Sequence, residues 1–428
     1  MVPDVRGRTR TGPASTPSTP AHSRARVRVA LLALALGGFA IGVTEFVALG
    51  LLPDLARELL PASWAASHAD AEGTTGWLVS AYAGGVVVGA PTIAALGARL
   101  PRRTLLLGLL VAFTVTTLAT ALLPTFGLVL AARFAAGLPH GAYFGVATLA
   151  AAELLGPGNR GRAAASVLAG LTIANVVGVP LVTAVGQAAG WRAAYLVVAA
   201  AFAVTFVAVR AAVPHGGPSP SAGLRAELRA FTRPQVWLTA GIGAIGFGGL
   251  FSAYTYVAPI TTEVTRLPAA AVPWVLVVFG VGMTIGNLAG GPFADRGVRR
   301  AMLVCFVGVL VALIVLGTLS SSVVGLLAGV LLVGAASAAL SPAIQVRLMD
   351  VAKESTTIAA AGTHSALNIG NAIGAALGGV VVAAGLGYVA PIGVGIVLTI
   401  GGVVLAVVAF GLERRAAGPL PAHAPPAA

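Results

Sequence analysis

Glu45 stands in an apolar run that reaches from about residue 27 to residue 50, and beyond Arg28 no other charge lies in that run. An ionised, unpaired carboxyl at membrane depth costs about 3 kcal/mol on insertion scales, so such a group is protonated, paired or functional. A second charge of the same kind is Arg133, alone in the segment Leu130-Ala-Ala-Arg-Phe-Ala-Ala-Gly-Leu-Pro-His-Gly-Ala-Tyr-Phe144. Arg133, Gly137, His140, Gly141 and Phe144 follow at i, i+4, i+7, i+8 and i+11, which puts them on one helical face. His140 and His364 are the other titratable groups within apolar stretches. A carboxyl and an imidazole of this kind suit reversible proton binding, with the guanidinium making the ionised carboxylate tolerable. Each also has a plainer use: a structural Glu45–Arg133 ion pair, local water exposure of Glu45 near the interface, or a histidine that hydrogen-bonds one helix to another.

The elements that must position these groups are membrane helices. The chain is 57% hydrophobic and 9% charged, with a mean hydropathy of +0.95, which excludes a soluble domain of 428 residues. Twelve apolar runs long enough to cross a bilayer are predicted, at about 27–50, 74–96, 103–123, 126–151, 164–187, 191–213, 236–258, 272–294, 300–320, 323–346, 360–384 and 388–411. The 56 glycines are spread through them, as close helix packing requires. The net charge of +13 follows from topology rather than from nucleic-acid binding. Nearly all Arg residues and the single Lys fall in one set of alternate loops and in the tails. Only Arg57, Arg192 and Arg266 fall in the other set, and Arg133 lies inside a span. This asymmetry places both termini in the cytoplasm. The one cysteine, Cys305, rules out an internal disulfide and reads as a small buried hydrophobe.

A Pro-, Gly- and Arg-rich stretch divides the spans into two sets of six. The expected limits are a disordered tail over 1–26, a bundle over 27–213, a cytoplasmic linker over 214–235, a second bundle over 236–412 and a tail over 413–428. The bundles repeat weakly at an offset of about 197 residues: Trp77 answers Trp274, Gly85 and Gly89 answer Gly282 and Gly286, and Arg99, Arg102 and Arg103 answer Arg296, Arg299 and Arg300. Two parallel halves place a substrate site between them near the bilayer midplane.

The segment that starts at Gly290, Gly-Gly-Pro-Phe-Ala-Asp-Arg-Gly-Val-Arg-Arg300, resembles the inner-loop signature of the major facilitator superfamily. Asp295, with Arg296, Arg299, Arg300 and Arg99, is then expected to form a conformational latch. The first-half copy departs from the pattern, since Ala98 stands where the Asp should be, so its latch is the weaker one. The Arg133–Gly137 spacing is similar to the family's helix-four motif. Gly170-Leu-Thr-Ile-Ala-Asn-Val-Val-Gly-Val-Pro180 resembles the Gly/Pro motif of its antiporters, through Gly170, Asn175, Gly178 and Pro180, although the same residues serve tight packing and a kink. Together with Phe39-Ala-Ile-Gly-Val-Thr-Glu-Phe46, these features resemble the drug:proton antiporter branch, in particular bacterial chloramphenicol-resistance and arabinose-efflux permeases.

The resemblance implies an all-α polytopic membrane protein of twelve transmembrane helices in two pseudo-symmetric halves, in a bacterial inner membrane. It implies a proton-coupled exporter of a small amphiphilic compound such as an antibiotic, or else a sugar or metabolite efflux permease or an uncoupled facilitator. Glu45, Arg133 and His140 would carry proton coupling. Tyr143, Tyr254, Tyr256, Asn368 and Asn371 are candidates to line the cavity, although Tyr and Asn equally serve to bond helix to helix. Its partners would be a small-molecule substrate, protons and the lipid bilayer, with no nucleic acid, and it would work as a monomer. No phosphate loop, metal cluster or nucleophile–base pair is visible, so neither an enzyme nor a cofactor is expected. The charge asymmetry generates a first test. Cysteines introduced at 99–103, 225–233 and 296–300 on a Cys305→Ser background are expected to label only from the cytoplasmic side, and cysteines at 54–72 only from outside. Outward labelling of the 225–233 loop overturns the map.

Overall fold

The computed structural model describes residues 24–97, 100–156, 159–215, 232–352 and 356–416. The expected tail before residue 24 and most of the linker, 216–231, lie outside the described residues. Among the described residues every regular element is helical. The fold is the expected one: twelve spans in two six-helix halves.

The first half runs α1 (Arg24–Gly50), a hairpin of three short helices α2 (Leu52–Leu59), α3 (Pro61–Ala66) and α4 (His68–Thr75), and then α5 (Trp77–Gly97) and α6 (Arg102–Leu122). It continues through α7 (Phe126–Gly137), α8 (His140–Leu155), α9 (Arg160–Ile173), α10 (Val179–Ala189) and α11 (Trp191–Ala212). The second half comprises α12 (Pro234–Tyr254), α13 (Val272–Asp295), α14 (Val298–Leu319), α15 (Val323–Ala352), α16 (Thr356–Ala383) and α17 (Ala390–Ala416). Ten helices among the described residues are long and apolar enough to cross a membrane. The other two spans are α5 and the α7–α8 pair.

The fourth span, expected as one uninterrupted helix, is broken at Leu138-Pro139. The cause is Pro139, which has no N–H to give and whose ring collides with the carbonyl one turn back. Leu138 N–H falls back on Ala135 O at 3.3 Å, and α8 restarts with His140. The fifth span is handled differently. Ahead of Pro180 the chain widens into a π turn over Ala174–Gly178, which absorbs the missing bond without breaking the helix.

Side chains on the outside of the bundle are large and apolar, among them Leu32, Leu288 and Val324. With lipid on that side, burial of apolar surface drives assembly only weakly, so helices gain most from close contact. Gly170 is the clearest case. A Cβ there would lie 1.9 Å from Ala35 O, so α9 crosses α1 with backbone against backbone. Gly280 does the same between the halves, 2.4 Å from Asn175 O at the π turn.

The halves meet along α5 and α16, and along α13 and the π turn. Ser80 Oγ donates to Ala372 O at 3.0 Å across the first of these seams. Toward the end that carries the α2–α4 hairpin the two halves touch at several points. Gly73 lies against Gly379 and Ala383, Gly76 lies against Tyr256, and Gln187 Nε2 donates to Ala269 O at 3.0 Å. At the opposite, arginine-rich end, the described ion pairs Arg102–Glu153, Arg299–Glu413 and Arg347–Glu413 each join helices of one half. The molecule is sealed at its hairpin end.

Substituting Gly170 tests the packing argument. Gly170→Val forces α9 off α1 and is expected to cost at least the roughly 1–3 kcal/mol of an overpacked core. Thermal denaturation in detergent should show a clearly lowered Tm. At Gly145 nothing lies within 4 Å of where a Cβ would stand, so Gly145→Ala should hold or slightly raise Tm through helix propensity. Equal losses at both positions refute the account.

Candidate functional site

Arg133 is the most buried cation described, 1% exposed, and its guanidinium points across the first half to α1. Its Nη1 donates to Thr44 O at 2.9 Å and more weakly to Thr44 Oγ1 at 3.4 Å. Tyr82 of α5 lies under the guanidinium at 4.4 Å and Tyr195 of α11 at 5.6 Å, so the charge rests against two ring faces. Nε and Nη2 have no hydrogen-bond partner in the protein. Glu45 follows Thr44 directly, is also buried, and lies within electrostatic reach of Arg133 and Tyr82. The expected meeting of Glu45 and Arg133 therefore occurs, but not as a direct ion pair: no described ion pair joins them. Arg133 takes the backbone carbonyl of Thr44 instead, which leaves the Glu45 carboxyl beside a positive charge that is not locked onto it.

From Tyr82 a chain of polar and aromatic groups runs to the other half. The Tyr82 hydroxyl and His140 Nδ1 share a hydrogen bond of 3.0 Å. His140 packs against Phe144 at 5.3 Å, and Phe144 stacks on His364 of α16 at 5.7 Å. The break at Leu138-Pro139 sets this geometry, because it places His140 at the first position of α8, facing α5. On the other side of Glu45, Phe46 reaches across to Phe251 and Tyr254 of α12, each at 6.2 Å, and Tyr254 stacks on Phe279 of α13 at 3.6 Å. Glu45 thus sits between a polar chain and an aromatic cluster, both of which bridge the halves.

The expected cavity residues divide. Tyr254 belongs to the bridging cluster. Tyr143 does not line the space between the halves. Its hydroxyl donates to Leu34 O at 2.9 Å and its ring lies in the first-half core against Phe113. Tyr256 belongs to the sealed end, where its hydroxyl donates to Ala375 O at 3.0 Å. Asn368 and Asn371 are buried, each with an unpartnered side-chain oxygen, and Asn368 Nδ2 donates to His364 O at 3.0 Å.

The helix-packing residues act as a unit. Gly170 and Gly178 let α1 lie against the fifth span, Gly178 beneath Phe39 and Val43. Asn175 Nδ2 bridges the π turn to Leu171 O at 3.1 Å, and Pro180 is buried just beyond. At the arginine-rich end, Arg99 and the side chain of Asp295 lie outside the described residues. Arg296 Nη1 donates to Pro292 O at 3.1 Å and so closes its own helix, while Arg300 is exposed. Arg299 makes its described ion pair inside its own half. It pairs with Glu413 at 2.9 Å, and Glu413 also takes Arg347 at 2.5 Å, so α14, α15 and α17 are tied together within one half. Tyr82, Thr44 and Glu413 are the residues that sequence reasoning missed. Among the described residues no group of three His, Cys, Asp or Glu side chains could hold a metal ion.

Comparison with known proteins agrees with this architecture. The family model described as Major Facilitator Superfamily matches residues 34–273 and 257–427. The chain is 35% identical over 360 residues to the inner membrane transport protein YdhP of Escherichia coli K12, covering 83% of this chain and 90% of that protein. It is 34% identical over 348 residues to a chloramphenicol resistance protein of Streptomyces lividans, covering 80% of this chain and 86% of that protein. Among solved structures, the human organic anion transporter MFSD10 shares the fold with a TM-score of 0.63 at 18% identity, covering 90% of this chain and 99% of that one.

The site predicts a ranking. Arg133→Ala removes the bond to the Thr44 carbonyl and empties the space between two tyrosines, and should cost about 1–3 kcal/mol for the charged hydrogen bond alone. Arg133→Lys should fall between it and wild type, since an ammonium cannot reproduce the planar fork. Tyr82→Phe keeps the ring under Arg133 and loses only the bond to His140, about 1 kcal/mol. Thermal denaturation of the purified proteins gives the order, and a Tyr82→Phe loss equal to that of Arg133→Ala contradicts it.

Proposed function

This chain belongs to the major facilitator superfamily, and from that premise we propose that it is a proton-coupled exporter of a small amphiphilic compound in the bacterial inner membrane. In this reading the arginine-rich end and both termini face the cytoplasm, the hairpin end faces out, and the structure is an inward-facing state. What carries the coupling reading is Glu45. Its carboxyl is buried in the first span, free of any described ion pair, beside Arg133, and next to the aromatic cluster that bridges the halves. A carboxyl fixed to an arginine would be a structural strut. One left unclaimed beside it can bind a proton or yield to cargo.

Alternating access supplies the cycle. Protonation of Glu45 from outside removes the cost of burying its charge and favours the state that has released cargo. Return to the cytoplasmic side lets the proton leave, with Arg133 making the ionised carboxylate tolerable while cargo binds. His140 and Tyr82 offer a path by which polarisation at Arg133 is felt at the half-to-half seam. The cargo we favour is an aromatic or amphiphilic drug of the chloramphenicol kind. The support is the set Phe46, Phe251, Tyr254 and Phe279 beside the carboxyl, together with the chloramphenicol-resistance relative. The second-half tie through Arg299, Arg347 and Glu413 keeps that half rigid as it rocks.

Two measurements test this. Resistance profiling of an efflux-deficient host expressing the chain identifies the cargo. With that cargo, purified wild-type protein in detergent should release protons on binding, and Glu45→Gln should insert normally but release none and fail at uphill export. Unchanged export by Glu45→Gln removes Glu45 as the coupling carboxyl.

A further inference from the structure

The α2–α4 hairpin holds a second buried carboxyl. Glu72 of α4 is 3% exposed, and its Oε2 has no hydrogen-bond partner. It lies where the halves close on each other. Its neighbour Gly73 is pressed on Gly379 and Ala383 of α16, and Gly76 on the Tyr256 hydroxyl. The groups that face Glu72 come from the second half: Tyr388, which donates a hydrogen bond to its carboxyl, the carboxylate of Glu263, and Tyr256. No described cation pairs with it. The charges of α2, which packs on α4, are already engaged, Asp54 with Arg57 at 3.0 Å and Glu58 with Arg192 at 2.8 Å. On α4 itself the remaining titratable groups are His68 and Asp70. A carboxyl shut into this interface, with one oxygen unsatisfied and another carboxylate nearby, is at ease only when it carries a proton.

We propose that Glu72 is a proton-binding site of the hairpin-end seal: protonated, it lets the two halves close there, and ionised, it drives them apart. The inference rests on the alternating-access reading above and on no role for Glu45. Burial holds the Glu72 carboxyl up at about 7, against an ordinary 4.5, with the Tyr388 hydrogen bond pulling down and Glu263 adding to the rise. The sign follows. The sealed state binds the proton more tightly than an open, wetted one, so sealing is favoured as pH falls through about 7 and weakened above it. The interval from 4.5 to about 7 allows at most a roughly 300-fold change in the sealed-to-open ratio. If the hairpin end faces out, an acidic exterior shuts the outer side behind an entering proton.

The test is a distance measurement across the seal. Nitroxide labels at Ala65→Cys and Leu386→Cys, both exposed positions on opposite halves, are read by pulsed electron resonance in lipid nanodiscs from pH 5 to 9 on a full-length Cys305→Ser background. Wild type should show one short distance at pH 5 and a longer one that grows as the pH rises to about 7 and levels off above it. Glu72→Gln should keep the short distance throughout. Tyr388→Phe, which removes a bond that favours the ionised carboxylate, should move the midpoint to higher pH, and it decides the matter if Glu72→Gln does not insert. Glu45→Gln should leave the midpoint in place even where it abolishes cargo-induced proton release, so the two proposals fail separately. A wild-type distance that ignores pH, a Glu72→Gln curve that follows wild type, a midpoint lost only in Glu45→Gln, or a downward shift in Tyr388→Phe overturns the inference.

Discussion

The interior of the first half depends on how a guanidinium is kept in a membrane without a carboxylate clamped to it. Arg133 solves this with a backbone carbonyl and two aromatic faces. The carbonyl of Thr44 is available because a side chain can reach a helix's own acceptor from the flank, and the rings of Tyr82 and Tyr195 take the rest of the charge. The consequence is that Glu45, one residue along, is relieved of the task of neutralising Arg133. The coupling role we propose for Glu45 rests on that division of labour.

Small residues make the arrangement possible. The guanidinium reaches α1 only because Gly137 lies flat on α5, with Tyr82 O 2.0 Å from where a Cβ would be. Gly170 brings α1 equally close to α9. Between the halves the same device recurs at Gly280 against the π turn and at Gly73 against Gly379. The break before His140 and the π turn before Pro180 are two answers to one problem, the missing proline N–H, and each places a polar residue of the central region.

Much of this is legible in the sequence. Hydropathy marks the twelve spans, because lipid imposes a length and a polarity that nothing else imposes. The lone Arg133 and Glu45 stand out for the same reason. The form of the meeting is hidden. Every residue has a carbonyl, so nothing marks that of Thr44 as an acceptor. A tyrosine in an apolar helix is common, and only the rotation of α5 puts Tyr82 between Arg133 and His140. Tyr143 and Tyr256 read as cavity residues in the sequence because composition cannot tell a tyrosine that faces another half from one that faces its own core. Glu413 reads as the start of a tail, yet it is the shared partner of Arg299 and Arg347.

That shared partner has a bearing on biogenesis. Arg133 of the first half finds its acceptor on α1, which is already synthesised when the fourth span emerges from the ribosome. Arg347, also buried, is matched by a carboxylate at the far end of the last helix. Until translation is nearly complete, the second half holds an arginine with no counter-charge, and the tie from α14 and α15 to α17 cannot form. The first half can therefore settle while the chain is still being made, whereas the second must wait for its final turn. A ribosome that stalls, or a gene cut short before residue 413, would leave that half unfinished even with all its apolar spans in the bilayer.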